Sequence, residues 1–399
     1  MRCLWCVAYI LLVILLLAGL AVQFLVDIED SSSVSLLNLH PSQDIVGSTF
    51  DVAKNRYHTV RQRTPFTSLD VAHDTNVIQN LLQFKEFMWV SFSGKQWYVA
   101  VALLEFRYVG ACVVNVFNVA TNDSWATKFE IPFASLLGFG PTFYPSPRGF
   151  YSPFADSHKI EFREPIVTGT SASIVASGKD VTVDFSGPLR HRNGTRVATT
   201  LRFKATLGTE AMNLVFPFGP RRASMVVKTS GADAAALTLR LGQVDFTHTC
   251  AGVTAGFDYT RGLLRRNTTW FWASASFTTF GTRIGFHLSS IVYDVNNISA
   301  ESTVFINDKP HFLDSRVYFA KVTSAPEPIN TKWTVVAQDT VSLTFTPVDQ
   351  HHGKLFPWPV LHGDMFHMWG TFDGWIRAGT RRYELKGVVG VLEDHNAVW

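Results

Sequence analysis

Cysteine and charge are both scarce in this chain of 399 residues. It contains only 4 cysteines, and charged residues make up 17% of it against 47% hydrophobic residues. A chain so apolar can bury a large core, which excludes an intrinsically disordered protein. Beyond the N-terminal segment only Cys112 and Cys250 remain, without the spacing of a metal site. A disulfide between them and two buried free thiols both fit their apolar surroundings.

Several common functional motifs are also missing. The sequence has no Gly-rich phosphate loop, no nucleophile elbow and no paired-cysteine redox motif. The net charge of +3 is small. The basic pairs Arg221-Arg222, Arg265-Arg266 and Arg381-Arg382 are scattered and are interpreted as solvated turns, since no basic stripe joins them. We therefore expect no cofactor, no bound metal and no nucleic-acid partner.

The N-terminus carries the strongest local signal. Leu4 to Val26 contains no charged residue. As a helix rising about 1.5 Å per residue, this segment would span a hydrocarbon layer about 30 Å thick. Arg2 precedes it, and the acidic residues Asp27 and Glu29 follow it. The positive-inside rule then leaves the short N-terminus in the cytoplasm and sends the rest of the chain across the membrane.

Two interpretations of this segment remain, a signal anchor and a cleavable signal peptide. Gly19-Leu20-Ala21 offers the small residues that a signal peptidase reads, but apolar character continues as far as Val26. We favour an uncleaved signal anchor over residues 1–26. Both interpretations place the following domain in the lumen or outside the cell, so we predict a single-pass membrane protein of the secretory pathway.

Four glycosylation sequons agree with a luminal or extracellular site. Each lies in a polar stretch that is typical of a turn, where a glycan can be accommodated. The acceptor residues are Asn122, Asn193, Asn267 and Asn297.

Short strands dominate the rest of the chain. Phe reaches 32 and Trp 11, and aromatic residues favour strands and fill wide β interiors. Gly178-Lys179 separates two runs of alternating polarity and predicts a two-residue hairpin, and Asn193-Gly194 predicts another turn. Asn307-Asp308-Lys309 is a third. Helical periodicity is weak outside the N-terminus: Val77–Phe87 is a short helix at most, or a strand.

The pattern predicts an all-β protein. We divide the chain into a signal anchor (1–26), a stalk (27–45), a first β-barrel-like domain (46–235) and a second one (236–399). The Pro- and Phe-rich stretch from Pro141 to Pro165 is interpreted as an ordinary long connection, with a lid over a barrel mouth as the alternative.

Residues that could carry chemistry lie in two stretches. Trp270 and Trp272 share one face of a strand and Phe271 takes the other, so the tryptophans either line an apolar ligand cavity or belong to the core. Asp258 is interpreted as pairing with Arg261 across a turn.

The C-terminal stretch offers further candidates. Glu393 and His395 share a strand face, with Asp394 opposite, which gives either an acid–base pair or a salt bridge that closes the barrel. His362 and Asp364 also share a face while His367 points away, so one metal ion is hard to hold there.

The stretch Phe257–Ala275 (FDYTRGLLRRNTTWFWASA) resembles one that is characteristic of an uncharacterised family, domain of unknown function 2804. Lys309 stands where that family usually has glycine, and Val398 where a basic residue is more common. The resemblance covers roughly residues 45–399. Other segments similar to the family, in the same order, are Lys85–Phe92, Leu104–Gly110, Gly285–Leu288, Glu301, Val304–Lys309, Trp369–Gly374 and Leu392–Trp399.

The family has no known function, so the resemblance supplies no mechanism. It is remotely similar to tandem lipocalin-type proteins, a group that includes carotenoid hydratases. The resemblance thus implies two lipocalin-like antiparallel β-barrels in tandem, each with an interior that could hold an apolar molecule.

Three functions follow as hypotheses. The first is binding of a lipid or other apolar ligand in a barrel cavity beside the membrane. The second is a cofactor-independent hydratase or isomerase acting on an isoprenoid or lipid, with Asp258, Glu301 and His395 as its first candidate residues. The third is a structural surface glycoprotein without a small-molecule site.

Overall fold

A computed structural model describes most of the chain after residue 36. The described residues are 13–14, 17, 37–51, 53–54, 56–66, 83–132, 140, 142–144, 158–164, 167–219, 222–248, 253–355 and 362–398. The predicted signal anchor therefore lies almost entirely outside them. Among the residues that are described, no helix is long and apolar enough to cross a membrane.

The described chain is built almost wholly of antiparallel strands, as the sequence predicts, with one 3₁₀ turn at Pro328–Asn330. The strands up to Leu263 are β1 (Phe50–Asp51), β2 (Arg56–Tyr57), β3 (Val60–Gln62), β4 (Phe84–Ser93), β5 (Trp97–Glu105), β6 (Val109–Asn118), β7 (Asp123–Pro132), β8 (Thr142–Tyr144), β9 (His158–Glu164), β10 (Thr170–Ser177), β11 (Asp180–His191), β12 (Arg196–Thr206), β13 (Met212–Gly219), β14 (Arg222–Leu241), β15 (Val244–His248) and β16 (Thr254–Leu263). The later strands are β17 (Asn267–Thr279), β18 (Thr282–Ser290), β19 (Asp294–Val295), β20 (Ile298–Ser299), β21 (Thr303–Ile306), β22 (Lys309–Phe312), β23 (Val317–Lys321), β24 (Trp333–Ala337), β25 (Val341–Leu355), β26 (His362–Ala378) and β27 (Arg381–Val398).

Strands β3 to β16 form one 14-stranded sheet. Eight of its strands form a closed circuit, in which each strand is hydrogen-bonded to the next. The order is β14, β16, β4, β5, β6, β7, β11, β12 and again β14. The circuit is narrowest between β7 and β11, where only Ala126 with Arg190 and Trp125 with His191 pair. The long strand β14 makes the closure possible, because it pairs with β16 through its first half and with β12 through its second.

The second sheet has nine strands, in the order β22-β21-β18-β17-β27-β26-β25-β24-β23. It curves around its own core, in which Phe286, Trp333, Phe345 and Phe372 are fully buried. The inner face of the first sheet is likewise filled with side chains. Both interiors are therefore packed cores.

Strands in the middle of the first sheet are buried on both faces. In β4, Met88, Val90 and Phe92 point into the first core, whereas Phe87 and Trp89 point toward the second sheet. Such a strand needs apolar residues on both sides, which explains why this segment lacks alternating polarity. Because Val77–Phe87 also lacks alternating polarity, its sequence is compatible with a short helix as well as with a strand. Within that range, Phe84 to Phe87 lie in β4.

The predicted hairpins are confirmed. Ser177 pairs with Asp180 around Gly178-Lys179, and Gly178 has a positive φ of 59°. Thr303–Ile306 and Lys309–Phe312 pair around Asn307 and Asp308, whose φ angles are 48° and 68°. Asn and Asp tolerate this conformation better than most residues, so the turn forms without glycine at either position.

Three predictions about chain organisation need correction. The predicted boundary between residues 235 and 236 falls inside β14, and the chain changes sheets only between Leu263 and Asn267.

Part of the predicted stalk packs on the fold, since Leu37 and Leu39 contact buried apolar residues and Asn38 bridges to β3. Packing there removes the apolar side chains of both leucines from water, whereas a solvated stalk would leave them exposed.

The third correction concerns the basic pairs. Arg222 and Arg266 are buried, not solvated. Arg222 donates to the backbone oxygen of Phe218 and to the side chain of Gln83. A buried guanidinium needs such acceptors, and a sequence pattern of two arginines does not show whether they are available.

Candidate functional site

A cavity of about 150 Å³ lies between the two sheets. It uses the outer face of the first sheet and the facing side of the second, so it is not inside either packed core. On one flank, Thr254 Oγ1 donates to Ser276 Oγ at 2.9 Å, joining β16 to β17. On the other flank, Ser124 of β7 bonds to Asp349 of β25. The sheets are thus bonded to each other on both sides of the cavity.

One row of directly paired residues crosses the first sheet along the cavity wall. Lys228 and Asp258 stand at one end of this row and Lys128 at the other, with apolar side chains between them. Neighbouring strands lie about 4.8 Å apart, so the row brings residues distant in sequence onto one line. The members, from β14 to β7, are Lys228, Asp258, Trp89, Ala102, Val113 and Lys128.

A matching row crosses the second sheet. From β17 to β25 it runs through Trp272, Glu393, His367 and His351, each directly paired with the next. Lys228 Nζ lies 5.2 Å from the ring of Trp272, so the two rows meet at that end. Polar groups therefore stand at intervals along a cavity whose remaining walls are apolar and aromatic.

Lys228 holds two carboxylates at one end of the cavity. Its Nζ lies 2.6 Å from Asp258 Oδ2 and 2.7 Å from Glu301 Oε1, and all three side chains are buried. Burial alone would lower the pKa of Lys228, but the two carboxylates more than offset it and raise that pKa. Lys228 is therefore charged, and one ammonium is shared between two acids.

Asp258 has a raised pKa. Burial raises its pKa to about 7, with Glu301 adding to the shift and Lys228 opposing it. Its second oxygen, Oδ1, is buried and has no hydrogen-bond partner among the described residues. Asp258 can thus present a carboxylic acid to the cavity near neutral pH, and a pKa in that range suits proton donation.

Glu393 organises the opposite wall. His367 Nδ1 lies 2.8 Å from Glu393 Oε1, and Trp270 donates its indole N–H to Oε2 at 2.9 Å. Burial would raise the pKa of Glu393, but these two bonds and the neighbouring histidines lower it. Glu393 is therefore an ionised acceptor that fixes one histidine and one tryptophan.

His395 stacks on Trp270, with ring centroids 3.5 Å apart and planes 10° from parallel. Burial lowers the pKa of His395 to about 3, with Glu393 opposing that shift and Lys128 reinforcing it. The imidazole is therefore neutral at any physiological pH and acts as part of the aromatic wall.

Five of the residues that the sequence singles out for chemistry or ligand contact line this one cavity. Asp258, Glu301 and His395 lie beside Trp270 and Trp272, although they come from four separate segments. Phe271 packs into the second core on the opposite face, as predicted.

The predicted pairing of Asp258 with Arg261 is wrong. Asp258 and Arg261 point to opposite faces of β16, and Arg261 pairs with Glu86. As predicted, His367 takes the face of β26 opposite to that of His362 and Asp364, and it lines the cavity, where it bonds to Glu393.

Sequence reasoning missed Lys228 and Trp89. Lys228 interrupts the apolar run Met225-Val226-Val227, and a lysine in such a strand is seldom buried without a partner. That interruption was a usable signal for a buried ion pair. No comparable sequence signal marked Trp89, because it lies in a strand that is apolar on both faces.

His362 and Asp364 lie apart from the cavity. His362 is exposed, and Asp364 bonds to His352. Among the described residues, no group of three or more His, Cys, Asp or Glu side chains is arranged so that it could hold a metal ion.

The four sequon asparagines are all exposed. Asn122, Asn193 and Asn297 lie in turns, whereas Asn267 is the first residue of β17, contrary to the prediction. Cys112 is buried in the first core, and Cys250 lies outside the described residues, so a disulfide between them stays a prediction.

The fold and the site together define the class of this protein. It is an all-β protein with a cavity between two sheets, and polar side chains stand in the mostly apolar walls of that cavity. The chain belongs to the family described as Domain of unknown function (DUF2804), whose sequence profile matches residues 59–399. The resemblance seen in the sequence motifs is thereby confirmed. No curated protein matches the chain. Among solved structures, kievitone hydratase from Nectria haematococca matches with 11% identity, 84% of this chain and 98% of that chain covered, and a TM-score of 0.38.

Proposed function

We propose that the cavity between the two sheets binds a small apolar molecule that carries oxygen. Aromatic and apolar side chains form most of its walls, which favours an apolar body. The observation that carries the proposal is a set of buried polar atoms without partners among the described residues: Trp89 Nε1, Trp272 Nε1 and Asp258 Oδ1. Leaving such groups unpaired costs about 1–3 kcal/mol each, and a ligand oxygen could satisfy them.

The size of the cavity supports a small ligand. Dry apolar cavities of about 150 Å³ accommodate a molecule such as benzene. Lipids and isoprenoids fit the chemistry if one segment enters the cavity, and an aromatic alcohol fits it completely. This differs from the sequence-based expectation of a ligand inside a barrel, because both sheet interiors are packed.

Native mass spectrometry with organic extraction of the full-length chain in detergent tests the proposal. We expect an apolar molecule to be recovered, and an apolar fluorescent probe to quench the cavity tryptophans. Trp272→Leu should weaken probe binding about 10-fold, since it removes one wall. Trp375→Leu is the matched control, because Trp375 lies on the same sheet outside the cavity. Equal binding by both variants would place the ligand outside this cavity, and no binding at all would favour the structural glycoprotein.

A second candidate, a cofactor-independent hydratase or isomerase, is supported by the pKa of Asp258. An acid with a pKa of about 7 in an apolar cavity can protonate a carbon–carbon double bond of an isoprenoid or lipid. Incubating the extracted ligand with the protein in deuterated water tests this. Deuterium should enter the ligand with the native protein and not with Asp258→Asn, whereas Asp245→Asn, at an exposed position, should behave as the native protein does.

We also propose that the two sheets are two lipocalin-like barrels in tandem. The eight-strand circuit of the first sheet and the curved packing of the second support this proposal.

The location of the protein is a further proposal. We infer that residues 1–26 anchor the chain in a secretory membrane, with the sheets luminal or extracellular. The charge-free run Leu4–Val26 and the exposure of all four sequon asparagines support it. The protein should sediment with membranes and gain mobility on endoglycosidase treatment. A soluble product with unchanged mobility would contradict the orientation.

A further inference from the structure

We propose that His367 is the general base of the cavity and that Glu393 is its positioning residue. The proposal deepens the second candidate function and rests on it, because it names the group that accepts a proton where Asp258 supplies one. Sequence reasoning did not bring these two residues together, since they lie on different strands and in different motifs.

The geometry fixes the proton on the ring of His367. His367 and Glu393 are directly paired on β26 and β27, and His367 Nδ1 lies 2.8 Å from Glu393 Oε1. An ionised carboxylate only accepts hydrogen bonds, so Nδ1 carries the proton and donates. In a neutral ring, the other nitrogen, Nε2, then has a free lone pair.

That second nitrogen is available to a ligand. His367 Nε2 is buried and has no hydrogen-bond partner among the described residues, and the side chain lines the cavity. Glu393 cannot rotate away freely, because its other oxygen accepts the indole N–H of Trp270. A carboxylate that orients an imidazole and stabilises its cationic form is the arrangement that makes histidine an effective base.

The two polar ends of the cavity are electrostatically linked. Glu393 is one of the charges that raise the pKa of Asp258, so a negative charge on the base side favours the protonated acid on the other.

The reaction this pair would serve is addition of water to an apolar alkene. The π electron pair of the double bond takes the proton of Asp258 and forms a carbon–hydrogen bond. The oxygen of a water molecule forms a bond to the other carbon, and its proton passes to His367 Nε2. The products are an alcohol, a carboxylate and an imidazolium, and proton exchange with solvent restores both groups. The reverse sequence removes water from an alcohol.

Alkylation with phenacyl bromide, a small apolar electrophile, tests the base without knowledge of the substrate. His367 Nε2 forms a bond to the methylene carbon while the carbon–bromine bond breaks and bromide leaves. On the full-length protein we expect modification at His367, located by peptide mass spectrometry. Glu393→Gln should slow it about 10-fold or more, as loss of an orienting carboxylate does elsewhere. Glu384→Gln, an exposed position on the same strand, should leave the rate unchanged.

Two outcomes would overturn the proposal: equal rates in native protein and Glu393→Gln, or modification of another histidine in preference to His367. If Glu393→Gln does not fold, nitrogen NMR of the native protein with labelled histidine decides the matter. A protonated Nδ1 and bare Nε2 on His367 are expected, and the opposite tautomer contradicts the proposal.

Binding of benzene as a small apolar probe, followed by titration calorimetry, separates this failure from failure of the proposed function. If the probe enters the cavity and His367 remains unmodified, the base is wrong and the binding site stands. If the probe does not bind and His367 is unmodified, the cavity itself is not a ligand site.

Discussion

Lys228 Nζ lies 2.6 Å from Asp258 Oδ2, and the two residues are direct neighbours on β14 and β16. Lys228 also reaches Glu301, which lies in the connection between β20 and β21. One buried ammonium therefore ties the outer face of the first sheet to a segment that packs between the sheets. This ion cluster forms one end of the cavity, so its integrity concerns both stability and function.

Removing the ammonium should be strongly destabilising. Lys228→Met leaves Asp258 and Glu301 buried without their shared cation, which we expect to cost about 3–5 kcal/mol of the free energy of unfolding. Urea denaturation measures it. Lys204→Met, at an exposed position on β12, should change stability by less than about 0.5 kcal/mol. A similar small loss in both variants would show that the cluster is solvated.

The pH dependence of stability should reveal two opposing groups. The pKa of Asp258 rises from 3.8 to about 7 on folding, so between these values the folded state holds an extra proton and stability falls as pH rises. The pKa of His395 falls from 6.5 to about 3, so between these values the unfolded state holds the extra proton and stability rises with pH. Each slope is at most about 1.4 kcal/mol per pH unit, and the two offset between roughly pH 4 and 6.5.

Asp258→Asn should expose the histidine contribution. In this variant the free energy of unfolding should increase from pH 4 to 6.5 more steeply than in the native protein, as followed by denaturant titrations at several pH values. Asp245→Asn should retain the native profile, because Asp245 is exposed. An unchanged profile in Asp258→Asn would mean that Asp258 titrates normally.

Filling the cavity should abolish ligand binding without unfolding the protein. Ala102 lies in the middle of the first-sheet row, and Ala102→Leu places three further carbon atoms into the open space. We expect at least about 10-fold weaker binding of an apolar probe, with stability changed by no more than about 1–3 kcal/mol. Ala198→Leu, exposed on β12, is the control. Undiminished binding in Ala102→Leu would place the ligand elsewhere.

The close approach of the two sheets should depend on Gly285. A Cβ at this residue would lie 2.6 Å from the backbone nitrogen of Gly231 and 2.5 Å from Ser230 Cβ, on the first sheet. Gly285→Ala should therefore push the sheets apart, lower thermal stability and raise the accessibility of the cavity tryptophans to acrylamide. Gly219→Ala should be tolerated, since its nearest neighbouring atom is 3.7 Å away. Native quenching in Gly285→Ala would contradict this contact.

Local sequence patterns predicted local structure well. The hairpin at Gly178-Lys179 and the opposite faces of Trp272 and Phe271 follow from turn chemistry and from the two-residue period of strands, which act over a few residues. The boundary at residue 235 was wrong because β14 is long enough to pair with different strands in its two halves, and strand length gives no local signal of that kind.

Composition and strand periodicity thus determined an all-β protein, and local motifs together with the family resemblance singled out Asp258, Glu301, His395, Trp270 and Trp272. Only the tertiary structure decided that these residues face one cavity, that Lys228 joins two of them, and that His367 turns toward Glu393. The physical reason is that a strand specifies which face each side chain takes, whereas the partner of that face is set by sheet order and sheet-on-sheet packing. Those depend on contacts between segments far apart in the chain, and no single segment encodes them.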